Sequence, residues 1–377
     1  MIIDIHGHLS PPEAARRFPM PPALTDVDGM LAARAQAGID LTIIGSPVGA
    51  GAMARVPGVD NYRQPRDKLR AFHGWLSGVI STFPDQLRGY VYVNPFGDDD
   101  HLDGVRETLA DPAFVGLITT SSVHGELLGS PRADSFFALA AETGVPVLVH
   151  APAEPIGTER VEDLGFVEQI GRFNDVSLGM AMIAFAGWLD KYPSLTLIGA
   201  TGGGALALLP ERLQTAARPR HWGGPPPGGA PGGARPGGAP TGPGARGPGA
   251  PGASGPPRAD LPGNGPTDPS RSAAPSPGDA DGFPGPSRGT GPSRSPDPAA
   301  ALRRTYVDTS VFSPAHLGLN AEVLGPERML FGTDSPPLSV PLEEYIRAVE
   351  KLPIDRASQQ RVLGGNAEAL FDLQERP

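Results

Sequence analysis

The 377-residue chain has no cysteine. Disulfides, thiolate metal sites and a cysteine nucleophile are therefore excluded, and the side chains left to bind a metal are His, Asp and Glu. Basic charge is also in short supply: 31 Lys and Arg face 41 Asp and Glu, for a formal net charge of −10. An acidic body of this kind argues against nucleic-acid phosphates as the main partner. Long apolar runs are missing too. The uncharged apolar run Val176 to Leu189 has 14 residues, short of the roughly 17–25 needed to cross a bilayer, and reads as a buried helix. No basic segment precedes the first apolar residues, and Ile2 and Ile3 already begin a strand. A soluble, cytoplasmic protein without a membrane partner is expected.

Glycine and proline are abundant but concentrated. Residues 221–300 hold 21 Gly and 21 Pro, with 6 Arg against 5 Asp, so this window carries +1 and the rest of the chain −11. Its repeated Gly-Ala-Pro and Gly-Pro units offer too little apolar surface to offset the entropy of ordering them. The expectation is a disordered insertion over residues 219–298. As a spacer in a surface loop it would cost little stability; as a functional segment it would dock on an aromatic groove of a partner. Outside it, residues 1–218 and 299–377 amount to one barrel-sized domain.

In that remainder, short runs rich in Val, Ile, Leu and Tyr alternate with helix-period segments, the pattern of a parallel sheet built from β-α units. Eight runs can be counted: Ile2–Ile5, Leu41–Gly45, Leu87–Val93, Phe114–Thr119, Pro146–Val149, Leu195–Gly199, Thr305–Asp308 and Met329–Gly332. One helix starts near Thr25-Asp26 and stops at Gly38; another runs from about Arg132 to Thr143 and stops at Gly144. An open doubly wound sheet and a closed (β/α)8 barrel both fit this count. The polar residues favour the barrel, because His8, His150 and Asp334 lie just beyond the first, fifth and eighth runs, ends that meet at one mouth only when the sheet closes.

Asp4-Ile5-His6-Gly7-His8 ends the first run, and side-chain alternation places His6 and His8 on one face, where two imidazoles can share a divalent cation. A third imidazole closes Val147-Leu148-Val149-His150, and a carboxylate closes Leu330-Phe331-Gly332-Thr333-Asp334. Any one of these could be an ordinary buried polar residue. Four such endings at one mouth make a metal site the better reading.

These motifs, with Gly202-Gly203-Gly204 after the sixth run and Gly364-Gly365-Asn366-Ala367 near the end, resemble the amidohydrolase-related family, whose best-known members are decarboxylases of the aminocarboxymuconate-semialdehyde and resorcylate type. The resemblance spans nearly all of the chain outside the Gly/Pro window. It implies a (β/α)8 barrel holding one divalent ion, zinc ahead of manganese, on His6, His8, His150 and Asp334. The fourth run ends in Thr119-Thr120-Ser121, without the Lys that bridges two metals in binuclear relatives, so a single ion is implied. One departure stands out: the decarboxylases carry a His directly before the three glycines, and here that position is Thr201. A hydroxyl donates a hydrogen bond but does not hold a proton's charge near neutral pH. His124, on the loop after the fourth run, is the nearest candidate to replace it, and a solvated loop His is the alternative.

Other residues are weaker candidates. His73 and His101 fall in helical segments and suit packing roles, and His221 borders the Gly/Pro window. Asp308 could steady a metal ligand from behind or cap the helix after Ser313-Pro314. Gly203 and Gly204 could offer N–H groups to a substrate carboxylate or merely permit close packing. Met180, Met182, Phe185 and Trp188 suit the core or a subunit contact, which would make a homodimer. The leading expectation is a mononuclear metal-dependent carboxy-lyase acting on a small unsaturated or aromatic carboxylic acid, with Asp334 as proton shuttle. A hydrolase of an ester, lactone or amide on the same barrel competes with it, and Thr201 favours the competitor. A non-catalytic binding protein is the remote third.

Overall fold

The computed structural model describes residues 1–215, 291–311 and 313–373. Eight parallel strands run through them: β1 (Ile3–His8), β2 (Leu41–Gly45), β3 (Leu87–Tyr92), β4 (Phe114–Thr120), β5 (Val147–His150), β6 (Leu197–Gly199), β7 (Tyr306–Asp308) and β8 (Met329–Leu330). They are hydrogen-bonded to one another in chain order. The ring closes without a ladder: Ile5 N–H donates to Phe331 O at 2.9 Å and Asp334 N–H to His6 O at 2.8 Å. This is the expected (β/α)8 barrel, with a two-stranded hairpin, Ser122–Val123 against Glu126–Leu127, added after β4.

Alternation along the strands divides the core in two. Ile3, Ile5, Ile43, Tyr90, Leu148 and Ile198 fill the barrel interior, while Ile44, Val91, Val147, Val149, Leu197 and Val307 face outward to the surrounding helices. This two-sided burial explains why the strands read as continuous apolar runs. One strand breaks the alternation. In β1 the partners of Asp4 and Gly7 are Thr42 and Ile44, so three steps on β1 match two on β2. The extra residue resets which side each following residue faces. Asp4 and Gly7 both lie on the helix side, next to Arg34.

The helix from Val27 to Ala37 starts where expected: the Asp26 side chain accepts from Gly29 N–H, and Gly38, at φ 77°, ends it. Gly144, at φ 67°, likewise ends the helix Asp134–Thr143. The apolar stretch 176–189 departs from the single buried helix expected of it. Gly187, at φ 93°, separates the helix Arg172–Ala186 from a short one, Trp188–Lys191. Val176, Met180 and Ile183 pack inward, yet Leu178 and Met182 are 47% and 39% exposed. No described helix is long and apolar enough to cross a membrane.

The expected insertion lies outside the described residues as far as 290, and so does His221. Its downstream limit of 298 needs correction. Ser295 is buried and its N–H donates to Phe185 O at 3.1 Å. The Arg294 guanidinium sits 4.1 Å over the Phe185 ring, and the Asp297 carboxylate caps the helix Pro298–Leu302. Averaging over a Gly/Pro-rich window hides these few residues, which find partners on a helix far away in sequence.

A buried ion pair ties β1 to the end of β8. Arg34 donates to Asp4 Oδ2 at 3.0 Å, to Thr42 Oγ1 and to Ser335 O. Asp4 also accepts from Thr333 N–H and Oγ1 and from His6 N–H. Burial pushes the Asp4 carboxyl up despite the Arg34 charge beside it. Arg34→Met would strand this carboxylate, so a loss of about 3 kcal/mol is expected in denaturant unfolding at neutral pH. Because stranding raises the Asp4 pKa further, the gap to wild type should narrow as pH falls and the group takes up a proton. A gap independent of pH would show that Asp4 is not the stranded charge.

Candidate metal centre

The bulge in β1 faces His6 and His8 into the mouth, β5 ends on His150, and Asp334 follows β8. Their donor atoms all lie within 4.8 Å of one another. His6 Nε2 is 3.1 Å from His8 Nε2, and Asp334 Oδ1 is 3.0 Å from His8 Nε2 and 3.6 Å from His6 Nε2. The three rings meet edge to face with centroids 4.9, 5.1 and 5.1 Å apart.

What makes this a ligand set is the far side of each ring. His6 Nδ1 lies 2.5 Å from Asp308 Oδ2, His8 Nδ1 3.0 Å from Gly45 O, and His150 Nδ1 2.8 Å from Ala151 O. A carbonyl or carboxylate can only accept, so each Nδ1 carries a proton and each ring, when neutral, presents its Nε2 lone pair to the common point. His150 Nε2 is buried without a hydrogen-bond partner. Three convergent imidazole nitrogens and a carboxylate oxygen fit one divalent ion of the zinc or manganese type.

The same groups are electrostatically coupled. Burial would lower the His6 pKa, but the Asp334 charge and the bond to Asp308 overcome it and raise the group to about 9. Burial pushes His150 down to about 4. Burial alone would raise the Asp334 carboxyl; the charge of His6 and the neighbouring imidazoles hold it well below the carboxylate range. In the metal-free site a proton on His6 thus stands where a cation belongs.

Asp308 steadies His6 from behind and leaves helix capping to Ser313, whose hydroxyl accepts from His316 N–H. It also accepts from Gly202 N–H and from the Ser310 hydroxyl. Gly332 makes room for the pair: a Cβ there would stand 3.0 Å from His6 Cβ and 3.1 Å from Asp308 Cβ. Gly203 and Gly204 do not offer their N–H groups to a ligand, because these donate to Ala200 O and Thr201 O. Their role is close packing, since a Cβ on Gly203 would stand 2.5 Å from Val307 Cγ1 and one on Gly204 2.2 Å from Ser177 Oγ.

A cavity of about 430 Å³ opens over His8, His150 and Asp334, and Thr201 and Ser310 line it. Asp334 and Thr201 are both held at positive φ, 54° and 53°, a conformation non-glycine residues adopt at a cost and often at functional sites. His124 does not line this cavity. It is 58% exposed, and its Nε2 is 3.2 Å from Asp60 Oδ1. The structure therefore does not bring His124 to the place of the imidazole absent at Thr201. A separate cavity of about 490 Å³, between the helices Arg66–Thr82 and Asp99–Leu109, holds none of the quartet. His73 and His101 border it and are occupied in packing, accepting the N–H groups of Tyr92 and Asn94.

Residues 3–261 and 283–373 match the sequence profile described as amidohydrolase. The chain belongs to the amidohydrolase family. The 2-amino-3-carboxymuconate-6-semialdehyde decarboxylase of Dictyostelium discoideum is 22% identical over 166 residues, 43% of this chain and 46% of that one, so the match spans about half the length of that relative. Among solved structures, the 5-carboxyvanillate decarboxylase LigW of Sphingomonas paucimobilis shares the fold at a TM-score of 0.67 and 17% identity, with 98% of each chain covered. A dihydroxybenzoic acid decarboxylase of Polaromonas sp. JS666, solved with manganese and 2-nitroresorcinol, gives a TM-score of 0.67 at 15% identity, covering 99% of this chain and 97% of that one. Likeness at these identities establishes the fold.

Elemental analysis of the purified protein should find about one divalent ion per chain, and His6→Ala/His8→Ala should remove it; equal metal in both preparations would refute the site. Metal entry must also expel the His6 proton. Apparent affinity is therefore expected to rise about tenfold per pH unit from neutrality and to flatten near pH 9, where the free group loses its proton unaided. An affinity flat between about pH 7 and 9 in competition titrations would mean that His6 carries no proton to displace.

Proposed function

We propose that this amidohydrolase is a mononuclear, metal-dependent carboxy-lyase acting on a small unsaturated or aromatic carboxylic acid. The observation that carries the reading is the convergence of three Nε2 atoms and Asp334 Oδ1 at the floor of a cavity with room for one small ring. The ion would supply a Lewis acid for the substrate carboxylate and an adjacent oxygen, stabilising the negative charge that develops as the C–C bond is strained. The family relatives named as decarboxylases, one of them solved with manganese, support this chemistry.

The chain's own residues would do the rest. Asp334, which lines the cavity, would accept a proton from water or from a hydroxyl of the substrate and pass it to the carbon before CO2 departs. The Thr201 hydroxyl, on the cavity wall, would orient an oxygen atom of the substrate. Met20, Leu24, Val48 and Leu338 supply apolar walls that exclude water, so the carbon is protonated only where the protein directs.

Thr201 is the observation that favours a second reading, a hydrolase of an ester, lactone or amide, in which Asp334 accepts the proton of an attacking water. Gas evolution and product analysis on phenolic acids and on lactones separate the two. Whichever reaction runs, Asp334→Asn keeps the size of the residue and one oxygen but cannot accept and return a proton. It should retain much of the metal and lose on the order of 10²–10⁴ in turnover. His124→Asn, away from the cavity, is expected to stay within a few-fold of wild type. Full metal with near wild-type turnover in Asp334→Asn would reduce Asp334 to a structural ligand.

A further inference from the structure

The second cavity, of about 490 Å³, lies apart from the metal quartet, between the helices Arg66–Thr82 and Asp99–Leu109. Neighbouring helices normally close such a space by interlocking their side chains. Here side chains are missing from both walls. Gly74 lines the gap from one helix, where a Cβ would meet nothing within 4 Å, and Gly104 lines it from the other. Glycine inside a helix is less stable than alanine, and no close contact requires it at Gly74. Polar bridges span the gap at either end: Ser77 Oγ donates to Asp111 Oδ2 at 2.6 Å, and Arg66 donates to Asp100 and Glu107.

His73 and His101 border this cavity, and only one nitrogen of each is used. Nε2 of His73 accepts from Tyr92 N–H at 3.0 Å, and Nε2 of His101 from Asn94 N–H at 2.9 Å. A neutral ring that accepts at Nε2 carries its proton on Nδ1. Burial pushes His73 down to about 3 and lowers His101 as well, so both rings favour the neutral form. Among the described residues neither Nδ1 has an acceptor. Both nitrogens touch open space, and for His73, 4% exposed, that space is the cavity. Arg66 Nε is buried there without a partner. The unmet groups are thus N–H donors, while Leu69, Val105 and the rings of Tyr92 and Phe114 supply apolar wall.

Charge decides the class of occupant. The cations on the lining, Arg66 and Arg70, already have carboxylates: Asp100 and Glu107 for the first, Glu107 for the second. Asp98 and Asp111 line the cavity too, so acidic groups outnumber basic ones and a free anion is repelled. A cation gains nothing from unmet groups that only donate. We propose that this cavity is a second binding site, for a small uncharged molecule that joins a carbonyl-type oxygen to an apolar body. The oxygen accepts from the imidazole N–H groups, and the apolar body displaces water from walls that offer it few hydrogen bonds.

The test is ligand-observed NMR titration of zinc-loaded wild type and Gly74→Leu/Gly104→Leu, with acetophenone, benzoate and benzylamine as probes. Each is one ring, bearing an uncharged acceptor, an anion or a cation. The variant places a side chain in the gap from each helix; the atom nearest a Cβ on Gly104 is Arg66 Nε at 3.3 Å, on a side chain that can move. Filling should weaken acetophenone binding on the order of tenfold or more, and leave metal content unchanged and the other two probes within about twofold. Acetophenone binding that is absent from wild type, or equal in both proteins, overturns the site and leaves a water-filled gap. Benzoate or benzylamine binding that is lost on filling in place of acetophenone overturns the uncharged class. A thermal melt establishes that the variant is folded. A second measurement needs no variant: wild type irradiated with benzophenone, a photoreactive ketone, should carry the label on residues 66–82 or 98–111 in peptide mass spectrometry. Label confined to other segments overturns the proposal. Neither readout depends on the reaction at the metal.

Discussion

One additional residue in β1 decides where two imidazoles point. If alternation continued unbroken from Ile3 and Ile5, which fill the barrel interior, His6 and His8 would share the outer face with Asp4. The shift between Asp4 and Gly7 turns them inward instead and leaves Gly7 against Thr42 and Arg34, where a Cβ would stand 2.8 Å from Thr42 Cγ2. The Asp4–Arg34 pair on the helix side and the imidazole pair on the mouth side are thus two results of one irregularity. Buried ionic groups hold the first half of the strand, and the second half is free to carry the chemistry.

The mouth depends on a further layer of fixed oxygens. Asp308, Gly45 O and Ala151 O each take one Nδ1–H, and so each sets the direction of an Nε2 lone pair. Asp308 is the costliest of these, a fully buried carboxylate, and it is satisfied from several sides by His6, Gly202 N–H and the Ser310 hydroxyl. That arrangement couples the Gly202–Gly204 turn to the ligand set. The turn's remaining N–H groups are consumed in its own backbone, so it shapes the wall and offers no free donors there.

The cavity walls come from loops far apart in sequence, and polar contacts between those loops hold them together. Arg172 reaches Met53 O on the loop after β2, and Arg55 on the same loop reaches Thr158 O beyond β5. Asp175, buried on the helix after β5, accepts from Ser121, Ser122 and Ile156 N–H. These contacts set the mouth's width, and neither Arg172 nor Asp175 stands out by motif or spacing. Asp175 precedes the apolar stretch that reads as a buried helix, and its charge looks like the end of that stretch. Its value lies in partners fifty residues away.

The sequence by itself determined the barrel: eight apolar runs with helices between them make a parallel sheet, and the His and Asp at the ends of the first, fifth and eighth runs favour its closed form over an open one. It also determined His6, His8, His150 and Asp334 as the residues to watch, since each stands at the end of its run and strand ends meet at one mouth. Local signals sufficed where local physics governs, as at Asp26, Gly38 and Gly144. Only the tertiary structure decided which face His6 presents, that His124 lies away from the cavity while Arg172 lines it, and that residues 291–298 belong with the barrel. Each of these depends on contacts between segments remote in the chain, and neither propensity nor periodicity carries information about a partner that distant.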